Sequence, residues 1–213
     1  MRRSLSIVTR PIRVFRLFCE GGVGNLPADY GRFGRQPWST TGALTTANPS
    51  GRGEYSFDTT SSTGYLLRGV NNPAMALPSR RPFTLRMLLR GNASFADKYV
   101  VSLQDATPTA AGTQFALAFD GASRPVIVCS NGSTRSVIAT ASSAPSTGVW
   151  YESVFTRRGD TFEWSFDGTV YCTATYANEL NHPTSQDLRF GKPLYGVNNG
   201  LTGQYDDMEL LVH

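Results

Sequence analysis

The chain has 213 residues, of which 40% are hydrophobic and 17% are charged. This composition supplies a sizeable core and excludes a disordered chain. The formal net charge is +4, but the excess comes from arginines that precede the first acidic residue, Glu20. The remainder is nearly neutral, which disfavours a nucleic-acid-binding surface. No stretch approaches the ~20 apolar residues of a membrane span, so one folded domain without a membrane partner is predicted.

Residues 1–11 form a basic, acid-free segment that ends at Pro11. Extended segments can add a strand to a neighbouring sheet, and arginines pair with acidic patches. We therefore predict that residues 1–11 are an N-terminal arm and that the arm and adjacent strand dock onto a partner through Arg2, Arg3, Arg10 and Arg13. The alternative is an organelle transit peptide, which has a similar composition.

The domain itself is predicted to span residues 12–213. Ile12–Phe18 is rich in branched and aromatic residues and indicates a strand. Residues 21–53 are dominated by Gly, Pro, Asn, Ser and Thr, which predicts a long irregular excursion with short strands. In Pro82–Arg90 every second residue from Phe83 to Leu89 is apolar, which is typical of a half-buried strand.

Later segments continue this pattern. Further strands are predicted at residues 53–58, 64–67, 99–103, 114–119, 125–129, 136–139, 188–191 and 205–212. The clearest local signal is a three-stranded meander of residues 148–156, 161–166 and 169–173, in which Asp167-Gly168 forms the second turn. No segment of helical length has a 3.6-residue apolar period, so many short strands and turns predict a sandwich or barrel.

The three cysteines are Cys19, Cys129 and Cys172. Their odd number and the absence of a C-x-x-C pair indicate neither a disulfide framework nor a zinc site. Free cysteine is among the most buried residue types, so these three are predicted to be small core side chains in a reducing compartment.

Four stretches in this strand order carry a resemblance to a known family. They are Phe57-Asp58 followed by Tyr65-Leu66; Pro82–Leu85; Trp150–Phe155 followed by Phe166–Gly168; and Leu188–Gly191 followed by Gly203–Leu210. The chain resembles the laminin G-like jelly rolls of the concanavalin A-like lectin/glucanase superfamily from about Val14 to its end. The resemblance implies an all-β, two-sheet antiparallel β-sandwich.

The opening of the chain also resembles versions of this domain in tailed-bacteriophage structural proteins. A hydrophobic strand ending in Phe18 precedes Gly-rich sequence, Asp29–Arg32, and a later Gly53 before Phe57. This implies a virion component, assembled in the host cytoplasm, with capsid or tail subunits or further copies of the chain as partners. Similar domains also occur in bacterial surface proteins.

Catalysis is disfavoured by the pattern of carboxylates. Glucanases of this superfamily place several carboxylates on alternate positions of one strand, because retaining hydrolysis needs two of them about 5 Å apart. No strand here has that pattern, and Asp167 is better explained as a turn residue. His182 and His213 belong to no nucleophile arrangement. No cofactor is predicted. Asp206 and Asp207 adjoin, would point to opposite faces of a strand, and could cap a loop or help to bind a structural calcium ion.

Aromatic residues suggest a glycan site. Trp150 and Trp164 lie in predicted strands and are expected in the core, whereas Trp38 and Tyr30 lie in the irregular excursion and could contact a sugar. The leading hypothesis is a non-enzymatic virion structural or decoration protein that docks through its arm. The alternative is a lectin-like module for a cell-surface glycan. A hydrolase is the third hypothesis.

Overall fold

The computed structural model describes residues 11–19, 28–30, 38–41, 43–46, 55–59, 65–68, 81–104, 113–180, 187–192 and 199–213. Within these residues the chain forms sixteen β-strands and no helix. None of the described segments is therefore a helix able to cross a membrane. The strands are β1 (Ile12–Phe18), β2 (Ala28–Asp29), β3 (Trp38–Thr41), β4 (Ala43–Thr46), β5 (Ser56–Thr59), β6 (Tyr65–Arg68), β7 (Phe83–Gly91), β8 (Tyr99–Gln104), β9 (Thr113–Phe119), β10 (Pro125–Ser130), β11 (Arg135–Thr140), β12 (Tyr151–Arg158), β13 (Thr161–Phe166), β14 (Thr169–Thr175), β15 (Asp187–Gly191) and β16 (Gly203–Val212).

The strands are arranged in two antiparallel sheets. A nine-stranded sheet has the order β14-β13-β12-β7-β16-β1-β2, and in it β5 pairs with both β4 and β16. A seven-stranded sheet has the order β11-β10-β9-β8-β15-β6-β3. The two sheets pack into a sandwich, which confirms the predicted fold class. The last strand, β16, lies between β1 and β7, so the beginning and the end of the domain are joined in one ladder.

The core lies between the sheets and is rich in aromatic side chains. Phe83 of β7, Phe115 of β9 and Phe155 of β12 have ring centroids 5.3–5.6 Å apart. Phe119 of β9 lies 5.5 Å from Trp164 of β13 in the same way. Each of these contacts between β9 and the other sheet joins the two layers, and aromatic pairs at such distances stabilise beyond the area they bury.

The two tryptophans that the sequence assigns to the core differ. Trp164 is fully buried, and its indole Nε1 donates a hydrogen bond to Ser153 Oγ at 2.8 Å. Trp150 is only half-buried and precedes β12, which begins at Tyr151, so the core prediction was wrong for this residue. Trp150 belongs to the loop that contains Gly148, with φ 75°, and therefore lies outside the strand whose alternation would have placed it in the core.

The meander turn at Asp167-Gly168 is formed as predicted. Both residues have positive φ, 48° and 78°, as a two-residue hairpin turn of type I′ requires. The Asp167 carboxylate also accepts a hydrogen bond from the backbone N–H of Glu152 at 2.7 Å. This carboxylate therefore has a structural role in fixing the turn against the start of β12.

Ion pairs connect the strands of the nine-stranded sheet. Arg13 pairs with Glu209, and Arg16 pairs with Asp207 at 3.2 Å. The predicted docking residue Arg13 thus has a partner within its own domain. Arg2, Arg3 and Arg10 lie outside the described residues. Their docking role, like the boundary between residues 11 and 12, stays a prediction.

A bulge in β16 determines how its acidic residues are used. Tyr205 and Met208, three positions apart, are both fully buried in the core, and the register with β7 shifts between Asp206 and Glu209. The extra residue interrupts the alternation on which the prediction of opposite faces for Asp206 and Asp207 rests. Asp206 Oδ1 accepts the Asp207 N–H at 2.8 Å, and Asp207 binds Arg16. Among the described residues no group of three His, Cys, Asp or Glu side chains could hold a metal ion.

All three cysteines are free and buried, as predicted. Burial raises the pKa of the Cys129 thiol to about 12 and that of the Cys172 thiol to about 11. Burial, followed by the negative charge of Asp206, raises the pKa of Cys19 as well. Thiolate, the reactive form, is therefore scarce at neutral pH, and the sulfur atoms are inaccessible.

We expect the native protein to be inert to Ellman's reagent at pH 8 and to release three equivalents of product per chain in guanidinium chloride. The native measurement should stay flat over the time in which the denatured sample reacts completely. A thiol that reacts rapidly in the native protein would contradict the burial described here.

Candidate functional site

The outer face of the seven-stranded sheet carries a groove of about 610 Å³ across β8, β9, β10 and β11. We call it the β8–β11 groove. Its floor includes Ala118, Val126 and Val128, and Val137 and Thr140 of β11 form one side. Its size lies within the range of small-molecule and oligosaccharide sites, roughly 300–1,000 Å³.

The alternation of side chains in β9 and β10 creates this floor. Phe115, Leu117 and Phe119 all belong to the core, so the alanines between them face away from it. In β10, Ile127 and Cys129 belong to the core in the same way. Ala118 pairs with Val126, which places a small side chain beside a larger one. The floor is therefore apolar and low at Ala118.

Tyr99 and Arg135 form a polar contact in the groove. An Nη2 hydrogen of Arg135 is donated to the Tyr99 hydroxyl, and the guanidinium carbon lies 5.7 Å from the centroid of the tyrosine ring. The Tyr99 backbone is fixed by the segment 199–201, because its N–H donates to Asn199 O and its carbonyl accepts from Leu201 N–H. The contact is thus held by β8 on one side and by the first residue of β11 on the other.

The rim near the turn between β9 and β10 is made by Asp97, Asp120 and Asn199. Asp120 begins the turn between β9 and β10, and its carboxylate accepts the backbone N–H groups of Ala122 and Arg124 and the Arg124 Nε–H at 2.9–3.0 Å. Its backbone carbonyl accepts the N–H of Asp97 at 3.0 Å. Asp97 is in the left-handed region with φ 55°, a conformation that aspartate tolerates.

The two carboxylates of the rim differ in their electrostatic state. The hydrogen bond from Arg124, above all other causes, lowers the pKa of Asp120 below its usual value. Asp97 is exposed, and its carboxylate has no hydrogen-bond or ion-pair partner among the described residues. The negative charge of Asp120 is therefore paired with Arg124, whereas the carboxylate of Asp97 is free to accept hydrogen bonds.

This arrangement suits binding better than glycoside hydrolysis. A general acid needs a raised pKa, but Asp120 has a lowered one. The described positions from β8 to β11 that line the groove are occupied by Tyr99, Ala118, Phe119, Val126, Val128, Arg135, Val137 and Thr140, none of which is a carboxylate. An apolar floor with convergent polar groups at its ends is the composition expected of a ligand-binding cleft.

The sequence-predicted glycan residues lie elsewhere in the described structure. Trp38 begins β3 and pairs with Arg68 at the edge of the seven-stranded sheet farthest from β11. Tyr30 follows β2 at the edge of the other sheet, is 58% exposed and packs edge-on against Phe18. The two residues thus belong to different sheets, and Tyr30 is not among the residues that line the β8–β11 groove. Their contact with a glycan stays a prediction.

Sequence reasoning missed the groove because its residues are distributed over four strands. The alternation in 114–119 already indicates that Ala116 and Ala118 face away from the aromatic side, and this signal was available. The pairing that brings Tyr99 near Arg135, 36 positions apart, is not encoded in any local pattern.

A comparison of the sequence with family models identifies the family of this chain. The laminin G-like model of the concanavalin A-like lectin/glucanases superfamily matches residues 69–211. A comparison with the sequences of curated proteins finds no match.

Several solved structures have the same fold as this chain. Domain 4 of AbnA, a GH43 extracellular arabinanase from Geobacillus stearothermophilus, in complex with arabinotriose, is 9% identical with a TM-score of 0.68, covering 96% of this chain and 94% of that one. The binding domain of botulinum neurotoxin DC in complex with rat synaptotagmin II is 10% identical with a TM-score of 0.65, covering 93% and 47%. A botulinum neurotoxin type C structure, described with cell entry that depends on two ganglioside molecules, has the same values. The chain spans about half the length of these toxin structures, and such identities show the fold alone.

The rim carboxylates provide a test of the Asp120 turn. The pKa of Asp120 is lower in the folded protein than in the unfolded chain, where it is ~3.9. Its ion pair therefore stabilises the folded protein fully at pH values above the unfolded pKa. This stabilisation is lost as the pH falls through the folded pKa. We expect Asp120→Asn to lower the free energy of unfolding at pH 7 by less than about 1 kcal/mol, as for an exposed pair, and to differ little from the parent near pH 3. Urea unfolding measured across this range tests the prediction.

Asp97→Asn is the matched control, because it removes a carboxylate from the same rim without breaking an ion pair. It should leave the free energy of unfolding unchanged within about 0.5 kcal/mol at both pH values. A loss for Asp120→Asn that grows toward low pH would contradict the assigned role of Arg124.

Proposed function

Because the chain belongs to the concanavalin A-like lectin/glucanase superfamily as a laminin G-like domain, we propose that it is a non-enzymatic carbohydrate-binding module whose site is the β8–β11 groove. The observation that carries the proposal is the groove itself, with its apolar floor at Ala118, Val126 and Val128 and its polar ends. Fold alone does not fix function, so the argument depends on these side chains.

Both parts of the groove match the chemistry of a sugar. A pyranose or furanose ring has C–H groups that pack on apolar side chains and hydroxyl groups that need hydrogen-bond partners. The floor supplies an apolar surface for the C–H groups. The carboxylate of Asp97, the Thr140 hydroxyl and the Asn199 amide supply hydrogen-bond partners for the sugar hydroxyl groups. Burial of the ring on the floor provides area, and the polar ends provide orientation.

The structural neighbours support a binding role. The arabinanase domain was solved with arabinotriose, and the type C neurotoxin is described with ganglioside interaction. Domain 4 matches this chain over nearly the full length of both molecules. A domain of this fold within an arabinanase was thus solved with a bound oligosaccharide. We propose that this chain binds carbohydrate as well.

Filling the groove should weaken binding. We expect Ala118→Phe to weaken binding of the best oligosaccharide from a glycan array at least about tenfold, equivalent to 1.4 kcal/mol, because the new ring occupies the low part of the floor. Affinity is measured by isothermal titration calorimetry. Val170→Phe, at a position 51% exposed on β14 and outside the groove, is the matched control and should bind within twofold of the parent.

Thermal unfolding establishes that the variants are folded, and Asp97→Asn offers a second, conservative change at the rim. Trp38→Ala in the same titration tests the site predicted from the sequence. Loss of binding in Trp38→Ala with full binding in Ala118→Phe would move the site to the β3 edge. Full binding in both variants would overturn the proposal for either surface.

Incorporation into a virion is the second function that we propose. The concentration of arginines before Glu20 and the resemblance of the opening to phage structural proteins favour it. Since Arg13 pairs with Glu209, docking depends in this proposal on Arg2, Arg3 and Arg10. The two functions are compatible, because a decoration domain can also bind a host glycan.

Deletion of residues 1–11 tests the virion proposal. We expect the full chain to co-sediment with the parent particle or to associate by light scattering, and the shortened chain to lose this association while its melting temperature is unchanged. A variant with Arg2, Arg3 and Arg10 replaced by glutamine separates charge from length. Unchanged incorporation of the shortened chain would exclude the arm as the docking element.

A further inference from the structure

Arg135 is the cation of the β8–β11 groove among the described residues that line it. The ion pairs of the described residues are Arg13–Glu209, Arg16–Asp207, Arg86–Glu152 and Arg124–Asp120, and Arg135 belongs to none of them. Its contact is with the neutral hydroxyl and ring of Tyr99. The positive charge of Arg135 is therefore not balanced by a carboxylate within ion-pair distance in this part of the structure.

The geometry also fixes the guanidinium in place. Its Nη2 is held by the Tyr99 hydroxyl, and its Nε is buried without a hydrogen-bond partner among the described residues. A guanidinium has five N–H donors in a planar fork, so donors remain after the tyrosine contact is made. A fork that is already positioned loses little conformational entropy when it binds a planar or tetrahedral anion.

The groove holds charges of both signs. The backbone of Arg135 follows the turn between β10 and β11 and its guanidinium reaches the hydroxyl of Tyr99, whereas Asp97 and Asp120 lie near the turn between β9 and β10. Asp120 is neutralised by Arg124 at 2.7 Å, but Asp97 is not paired. An anionic group on a ligand would thus be attracted toward Arg135 and repelled from Asp97.

We propose that the β8–β11 groove recognises an acidic sugar, with Arg135 binding its carboxylate or sulfate and Asp97 accepting hydroxyl groups of the ligand. This inference rests on the proposed carbohydrate-binding function and names the ligand class of the same site. Carboxylate and sulfate share the chemistry that a guanidinium fork recognises, and the probes below distinguish them.

The test compares acidic sugars with their neutral parents. The probes are 3′-sialyllactose and 3′-sulfolactose against lactose, and trigalacturonic acid against galactotriose, each titrated into the full chain by calorimetry. We expect at least one acidic probe to bind about tenfold or more tightly than its parent, with a preference that shrinks as salt is raised. A sialyl or galacturonyl preference identifies a carboxylate, and a sulfolactose preference identifies a sulfate.

Arg135 variants connect the preference to the residue. Arg135→Gln should remove the difference between acidic and neutral probes, and Arg135→Lys should keep part of it, because the charge remains and the fork is lost. Arg158→Gln, at an exposed arginine of β12 outside the groove, is the matched control and should bind as the parent does. Thermal unfolding verifies that each variant is folded.

The outcomes distinguish failure of the acidic-sugar proposal from failure of the carbohydrate-binding proposal. Equal binding of acidic and neutral probes, or an acidic preference that survives in Arg135→Gln, overturns the acidic-sugar assignment and leaves the module standing. Absence of binding to every array glycan and probe, or binding that is indifferent to Ala118→Phe, overturns the groove as a carbohydrate site and the assignment with it.

Discussion

Aromatic packing between the two sheets is the interaction on which the rest of the structure depends. Phe115 and Phe119 of β9 meet Phe83, Phe155 and Trp164 of the opposite sheet. Because side chains alternate along a strand, burying these rings forces Ala116 and Ala118 onto the outer face. The groove is thus a consequence of the core. The same constraint makes its floor rigid, since β9 and β10 cannot rotate without exposing the rings.

A second constraint comes from β16, which joins the two ends of the domain. It lies between β1 and β7, and its bulge places Tyr205 and Met208 in the core while Asp207 and Glu209 pair with arginines of β1. Half-exposed pairs of this kind contribute little stability individually, about 0–1 kcal/mol. Their effect here is to specify the register of β1, whose first residues follow directly from the basic arm.

Much of the fold could be predicted from local patterns. The alternation in 83–89 and the Asp167-Gly168 turn specify β7 and the last hairpin, because side-chain period and turn conformation are properties of neighbouring residues. Trp150 shows the limit, since it lies in the loop that contains Gly148 and β12 begins only after it. The groove could not be predicted, because Tyr99 and Arg135 meet only through the pairing of four strands. Trp38 and Tyr30 are large aromatic residues in irregular sequence, which local patterns mark as ligand contacts, whereas the small residues that line the groove lie in regular strands and carry no such mark.

The electrostatics of the groove separate structural from functional charge. Arg13, Arg16, Arg86 and Arg124 each face a carboxylate of the same chain, so their charges are accounted for by the fold. Arg135 instead contacts a tyrosine, in a groove whose nearby Asp120 is already committed to Arg124. Lack of a carboxylate partner does not by itself distinguish Arg135, because Arg90 and Arg158 also form no ion pair among the described residues. What distinguishes Arg135 is its place, since its guanidinium is held by Tyr99 in the wall of an apolar groove, and the proposed recognition of an acidic group rests on that combination.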